Sequence, residues 1–334
     1  MFKAISLIFS LILVQNTFSQ VDLFNRVSQD YGDLIIKEGT FRVDSHITPW
    51  SSSWFPARDR FLFARRPDGE ASPLGKYDVY VMRETLERRH PGARQWMEDR
   101  YDPSVSSWFG LCDAWALASI MAPEPTNELT IGGSTFRVSD LKALLVLSYE
   151  GSQGLKQYGQ RFYGAYNFEM DGHPPRWEDI APDQFHLFMQ KELFEKGLPF
   201  LMDYDPGVEV WTVPVYKAKT EIVRSERDDR TVLVTTTVFY ADSQTISDYD
   251  YVGTKTFHKI YEYELYGHWD YSFNGRGDRV DFFKVESGSW INGSLKDHPD
   301  YLIPKPQGSE FKRSPLNPNL KTQHVDRLLN LSRR

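Results

Sequence analysis

The chain has 334 residues, of which 40% are hydrophobic, 15% aromatic and 25% charged, a globular make-up that excludes collagenous and disordered classes. Its formal charge of −7 argues against a general nucleic-acid or anionic-membrane binder. A single Cys excludes an internal disulfide framework and any zinc site built from several thiolates.

The chain opens with Lys3, an apolar run from Ala4 to Val14 and the polar stretch Gln15-Asn16-Thr17. Thr17 and Ser19 are small enough for positions −3 and −1 of a cleavage site, so residues 1–20 read as a secretory signal peptide. The apolar run falls short of the ~20 residues that span a bilayer. The mature protein is therefore expected to be secreted or periplasmic, with no stable membrane insertion.

Residues 21–100 form an N-terminal segment, either a pro-region or a wrapped part of the fold; Trp50, Trp54 and Phe55 give its first part a loop-rich, aromatic character. Tyr77–Met82 precedes a polar helical candidate, Arg83–His90, that Pro91 stops. Small and apolar residues at helical spacing predict a helix within Ser107–Met121, ending before Pro123. A second helix is predicted over Val138–Ser148 with Ser139-Asp140 at its start. The Gly-, Tyr- and Phe-rich stretch Gly151–Pro175 reads as ordered loop. Pro182 opens a helix to Glu195 that Gly197 closes.

Beyond Phe200 the pattern changes. Val208–Val215, Thr231–Ala241, Thr254–Tyr266 and Arg279–Glu286 are rich in β-branched and aromatic residues and predict an antiparallel sheet. Helices first and strands later indicate α+β. The end of the chain, residues 306–334, is basic and Pro-containing and reads as an extended, weakly ordered arm.

Cys112 follows Gly110 and sits in the first turn of the predicted helix. A helix N-terminus carries free N–H groups and about half a positive charge, which favour a thiolate and can hold an oxyanion. Asp113 is expected to face away from the thiol. A thiol nucleophile also needs a base, and the base an orienting group. His268, after Gly267 at a strand end, can project into a cleft, and Asp270 shares its strand face. His186, in the first turns of the Pro182 helix, is the other candidate, with packing as its ordinary alternative. His258 is read as solvent-facing and His298 as a turn residue.

Five segments together resemble the secreted transglutaminase elicitor family of oomycetes and marine bacteria. They are Trp108-Phe109-Gly110-Leu111-Cys112-Asp113-Ala114-Trp115-Ala116, Pro182-Asp183-Gln184-Phe185-His186, Glu209-Val210-Trp211-Thr212-Val213-Pro214-Val215, Gly288-Ser289-Trp290 and Asp297-His298-Pro299-Asp300-Tyr301. Thr212 and Val213 depart from the Asn and Gln of family members. The resemblance implies a catalytic region over residues 101–305 and a Cys nucleophile assisted by Asp or His. It also implies calcium as an aid in some members. The chemistry itself requires no cofactor, and the chain shows no EF-hand loop; the acidic stretch Asp242–Asp250 reads as a solvated hairpin.

The expectation is thus an α+β, papain-like, secreted transglutaminase with a helix-borne nucleophile packed on an antiparallel sheet. Cys112 would form a thioester with a protein glutamine and transfer the acyl group to a lysine amine. His268, oriented by Asp270, would protonate the departing ammonia, with His186 as the alternative. Trp108, Trp115 and Trp290 would wall the substrate channel, and the partners would be proteins with accessible Gln and Lys. The rivals are a cysteine peptidase or amidase and a catalytically inactive binding protein.

Overall fold

The computed structural model describes residues 26–333 apart from 161–178, 205, 208, 244 and 245. Residues 1–20, read above as a signal peptide, and most of the Gly151–Pro175 stretch lie outside the described residues.

The N-terminal segment holds a short helix α1 (Val27–Tyr31) and strands β1 (Ile35–Ile36) and β2 (Gly39–Asp44). A loop through Trp50 and Phe55 leads to α2 (Pro73–Glu84). Ser72 caps α2 by accepting the Gly75 N–H at 3.2 Å, and Pro73 starts it at the position where a missing N–H does no harm. The helix stops at Thr85, whose hydroxyl donates to the Val81 carbonyl at 2.7 Å. The polar stretch Arg83–His90 is therefore mostly turn and not a helix. Its i,i+4 charges lack the apolar stripe that Leu74, Tyr77 and Val81 give α2. The buried Asp78 carboxylate reaches across to accept the Ala93 and Arg94 N–H groups, capping α3 (Ala93–Glu98).

Next come α4 (Cys112–Met121), the hairpin β3 (Leu129–Ile131) and β4 (Ser134–Phe136), and α5 (Val138–Leu147). Asp140 caps α5 by accepting the Arg137 N–H and also holds buried Arg66 at 2.8 Å and Lys76 at 2.5 Å. Beyond β5 (Tyr158–Gly159), α6 (Pro182–Met189) continues as a π-helical turn, Gln190–Glu195, before Gly197 at φ 65°.

The second half supplies β6 (Phe200–Asp203), β7 (Thr212–Arg224), β8 (Thr231–Ala241), β9 (Thr256–Phe273), β10 (Arg279–Trp290) and β11 (Tyr301–Pro304). Every pairing is antiparallel, in the order β1-β10-β9-β8-β7-β6-β11-β5. β7 serves two neighbours on one edge. Its start pairs with β6 from Thr212 to Val215, and its remainder pairs with β2 from Lys217 to Ile222. A register shift at Val215/Lys217 separates the two.

Two cores result. The first gathers Trp50, Tyr77, Trp115 and Leu144 with Leu201, Tyr301 and Leu328. The second packs α6 on the sheet through Phe185, Phe188, Tyr261, Tyr263 and Phe283. The C-terminal residues correct the expectation of a loose arm. Helix α7 (Thr322–Ser332) buries Val325, Leu328 and Leu329 in the first core, an apolar stripe that the basic residues and prolines before it masked.

Candidate active site

Cys112 is the first residue of α4, which packs on β6 and β7. The turn before it is held from outside the helix. The Leu111 N–H donates to the Trp54 carbonyl at 2.5 Å, and the Ala57 N–H donates to the Phe109 carbonyl at 2.8 Å. These bonds take the backbone of 107–111 out of the helix, so α4 starts later than composition alone suggests. They leave Cys112 at the helix N-terminus, where Leu111 provides no side-chain cap.

The thiol is 6% exposed and donates to the Val210 carbonyl at 3.4 Å. Burial pushes it up to about 12, and the charges of Asp113 and Asp203 add to this. The backbone N–H groups of Thr212 and Asp113 oppose the rise by pointing at the sulfur. In this conformation Cys112 is a thiol, with the donors that would stabilise a thiolate already in place.

Asp203 ends β6 and is fully buried. Its Oδ1 accepts the Trp211 N–H at 2.9 Å, and it is registered with Thr212 on one side and Tyr301 on the other. The Thr212 and Tyr301 hydroxyls are hydrogen-bonded at 2.7 Å. Burial raises the Tyr301 phenol, with Asp203 adding. Cys112, Asp203, Thr212 and Tyr301 therefore form one polar cluster at the junction of α4, β6, β7 and β11.

Asp113 does not turn fully away. With Thr212, Glu150 and Ser152 it lines a small cavity of about 10 Å³. Burial and the Asp113 charge raise Glu150 to about 8, so it is protonated at neutral pH.

The other predicted site residues lie elsewhere. His268 is 52% exposed and bonds Glu286 at 3.1 Å, while Asp270 pairs with Lys284 at 2.8 Å. Both follow Leu265, which is registered through Val232 with Arg224, at the opposite end of β7 from Thr212. About twelve residues of strand, roughly 40 Å, separate those ends. His268 and Asp270 are thus solvent-facing sheet residues, and the structure does not bring them to Cys112. Their shared face was read correctly, but it is the wrong end of the sheet.

His186 is buried in the second core with its Nδ1 2.7 Å from the Tyr263 hydroxyl, and burial lowers it to about 4. The charges that act on Cys112 are those of Asp113 and Asp203.

Of the three tryptophans, Trp115 is fully buried and donates to the Trp50 carbonyl at 3.2 Å. Trp290 packs against Phe185, Tyr261, Tyr263 and His298. Both are packing residues and not channel walls. Trp108 is part-exposed beside Phe109 on the nucleophile turn. Trp211, which follows the thiol's acceptor Val210 in sequence, packs edge to face with Trp54, their centroids 5.8 Å apart.

Asp203 and Trp54 were missed. The signal for Asp203 was the apolar run Phe200–Met202 ending in a carboxylate before Pro206-Gly207. Trp54 had none, because its role depends on a contact across the fold. Among the described residues no group of three or more His, Cys, Asp or Glu side chains is placed to hold a metal ion. Asp248 pairs with Arg66, and Asp250 accepts the Ser139 N–H. Among the described residues no helix is long and apolar enough to cross a membrane.

Residues 87–244, which carry Cys112, Asp203 and Thr212, match the Transglutaminase elicitor family. No curated protein sequence matches the chain. Its fold is similar to the crystal structure of the GP42 transglutaminase from Phytophthora sojae. The TM-score is 0.64 over 94% of this chain and 98% of that one, at 17% identity. The matched stretch, just under half of the chain, and the fold shared over nearly the whole length support a likeness to the transglutaminase elicitor family.

Proposed function

We propose that the protein is a secreted, papain-like transglutaminase acting through Cys112. The observation that carries this reading is the seat of the only cysteine at the N-terminus of α4, beside the buried carboxylate of Asp203. Asp203 takes the thiol proton as sulfur attacks the γ-carbonyl of a protein glutamine. The Thr212 and Asp113 N–H groups face the resulting oxyanion. The C–N bond then breaks, the proton passes to the leaving ammonia, and a thioester remains. A lysine amine opens the thioester to give an isopeptide bond, and the thiol is regenerated. Trp54 and Trp211 border the site and help exclude water, which favours transfer over hydrolysis.

The test incubates mature protein and Cys112→Ala with a glutamine-donor protein and a fluorescent primary amine, with and without calcium. Incorporation that disappears in the variant supports the reading. Glutamate formation without incorporation moves it to a hydrolase. One observation favours a catalytically silent binding protein instead, namely that the thiol is buried and held protonated. Silence in both proteins, together with a Cys112 that resists alkylation throughout, supports that alternative.

A further inference from the structure

A second cavity, of about 270 Å³, lies between β1, β2, β7 and the α6 helix with its π turn. Its walls are mostly apolar, with Ile36, Phe41, Met189 and Ile222 among them, and the polar side chains of His186 and Gln190 are part of its lining. His186 and Gln190 are four residues apart on one helix and so share a face.

Each is fixed from behind. The Gln190 Nε2 donates to the Ile35 carbonyl at 3.3 Å, which orients the amide, and its Oε1 is buried with no hydrogen-bond partner. Native proteins rarely leave a buried acceptor in that condition. It belongs to a π turn, a geometry frequent at functional sites. His186 Nδ1 meets the Tyr263 hydroxyl at 2.7 Å, and that hydroxyl continues to Thr236 at 2.9 Å and on to Thr220 at 3.0 Å. Thr220 returns to the cavity wall. With Tyr263 donating to Nδ1, the imidazole carries its own proton on Nε2.

We infer that this cavity binds a compact, uncharged aliphatic alcohol of about ten non-hydrogen atoms, scaling from the cavity that holds a benzene ring. Its hydroxyl donates to Gln190 Oε1 and accepts from His186 Nε2–H, and its chain lies against Ile36, Phe41, Met189 and Ile222. Burial keeps His186 neutral at pH 7 and raises Tyr263 so that it keeps its proton. The charged groups on the wall, Lys37 and Glu195, are exposed and of opposite sign. A charged head at the closed end therefore meets no counter-charge. The inference is independent of Cys112.

The probe is 1-octanol, titrated into the full chain by calorimetry at pH 7, with octanoate alongside. Expected are saturable one-to-one binding of octanol, at least tenfold weaker binding of octanoate, and a tenfold loss of octanol affinity in Gln190→Leu. Ile222→Trp fills the cavity and should abolish binding, with circular dichroism reporting whether it folds. If it does not fold, Gln190→Leu decides, because it removes one buried acceptor and leaves the walls in place. No saturable octanol binding, or equal affinity in Gln190→Leu and wild type, overturns the inference.

Discussion

Gly110 lies so close to Trp54 that a Cβ built on the glycine falls 2.6 Å from Trp54 Cδ1 and 2.7 Å from the Trp54 carbonyl oxygen. That approach lets the same carbonyl receive the Leu111 N–H and fixes the backbone immediately before Cys112. The N-terminal segment is therefore part of the site's framework in this conformation.

Gly110→Ala should force the Trp54 loop and the turn before Cys112 apart. An overpacked contact of this kind costs about 1–3 kcal/mol. The check is a urea melt, where the midpoint should fall with little change in slope. An unchanged midpoint would mean that Trp54 yields freely.

Alkylation of native Cys112 by iodoacetamide should be slow. With the thiol at about 12, its thiolate fraction at pH 7 is roughly three orders of magnitude below that of a free cysteine. The rate should keep climbing with pH well beyond 9, and Trp54→Ala should raise it at neutral pH. Because the folded value lies above the unfolded one, stability is fully present below about pH 8.5 and declines as pH rises toward 12. Rapid labelling of the wild type at pH 7 would contradict this picture of the resting thiol.

Glu150 gives a second pH signature. Its folded value of about 8 exceeds the unfolded one, so the stability linked to its protonation is present at low pH and lost as pH rises from about 4.5 to 8. Glu150→Gln removes that loss. It should stabilise the protein at pH 8, by roughly 4 kcal/mol at most, and leave it nearly unchanged at pH 4.5. Denaturant melts of both proteins at the two pH values provide the comparison; equal differences would place the carboxyl in contact with water.

For the proposed chemistry, Asp203→Asn keeps an acceptor for the Trp211 N–H but removes the base. Amine incorporation should fall at least about 100-fold while the thermal midpoint moves little. His268→Ala, at the far end of the sheet, should stay within about twofold of wild type in the same assay, consistent with an exposed residue away from the reacting atoms. The reverse pattern would return the base to His268.

The fold was readable where local chemistry decides it. Pro182 and Gly197 bracket the α6 helix and its π turn, and the β-branched runs mark β8 and β10 as strands. The seat of Cys112 at a helix N-terminus was equally legible, since Gly110, a single Cys and a helical pattern are contiguous in sequence. The base was not. Whether His268 or Asp203 approaches Cys112 depends on which end of a long sheet α4 packs against, and strand periodicity carries no information about ends. The same limit applied to Trp290, whose aromatic character fits a channel wall and a core equally well.

Helix α7 has a consequence for how the chain matures. Its Leu328 and Leu329 complete the same core that contains Trp50 and Phe55, so segments nearly 280 residues apart close a single interior. A ribosome delivers Trp50 long before Leu329. Until then the Trp54 contact that braces the Cys112 turn rests on an open core, and a chain cut short before α7 leaves that face exposed to water.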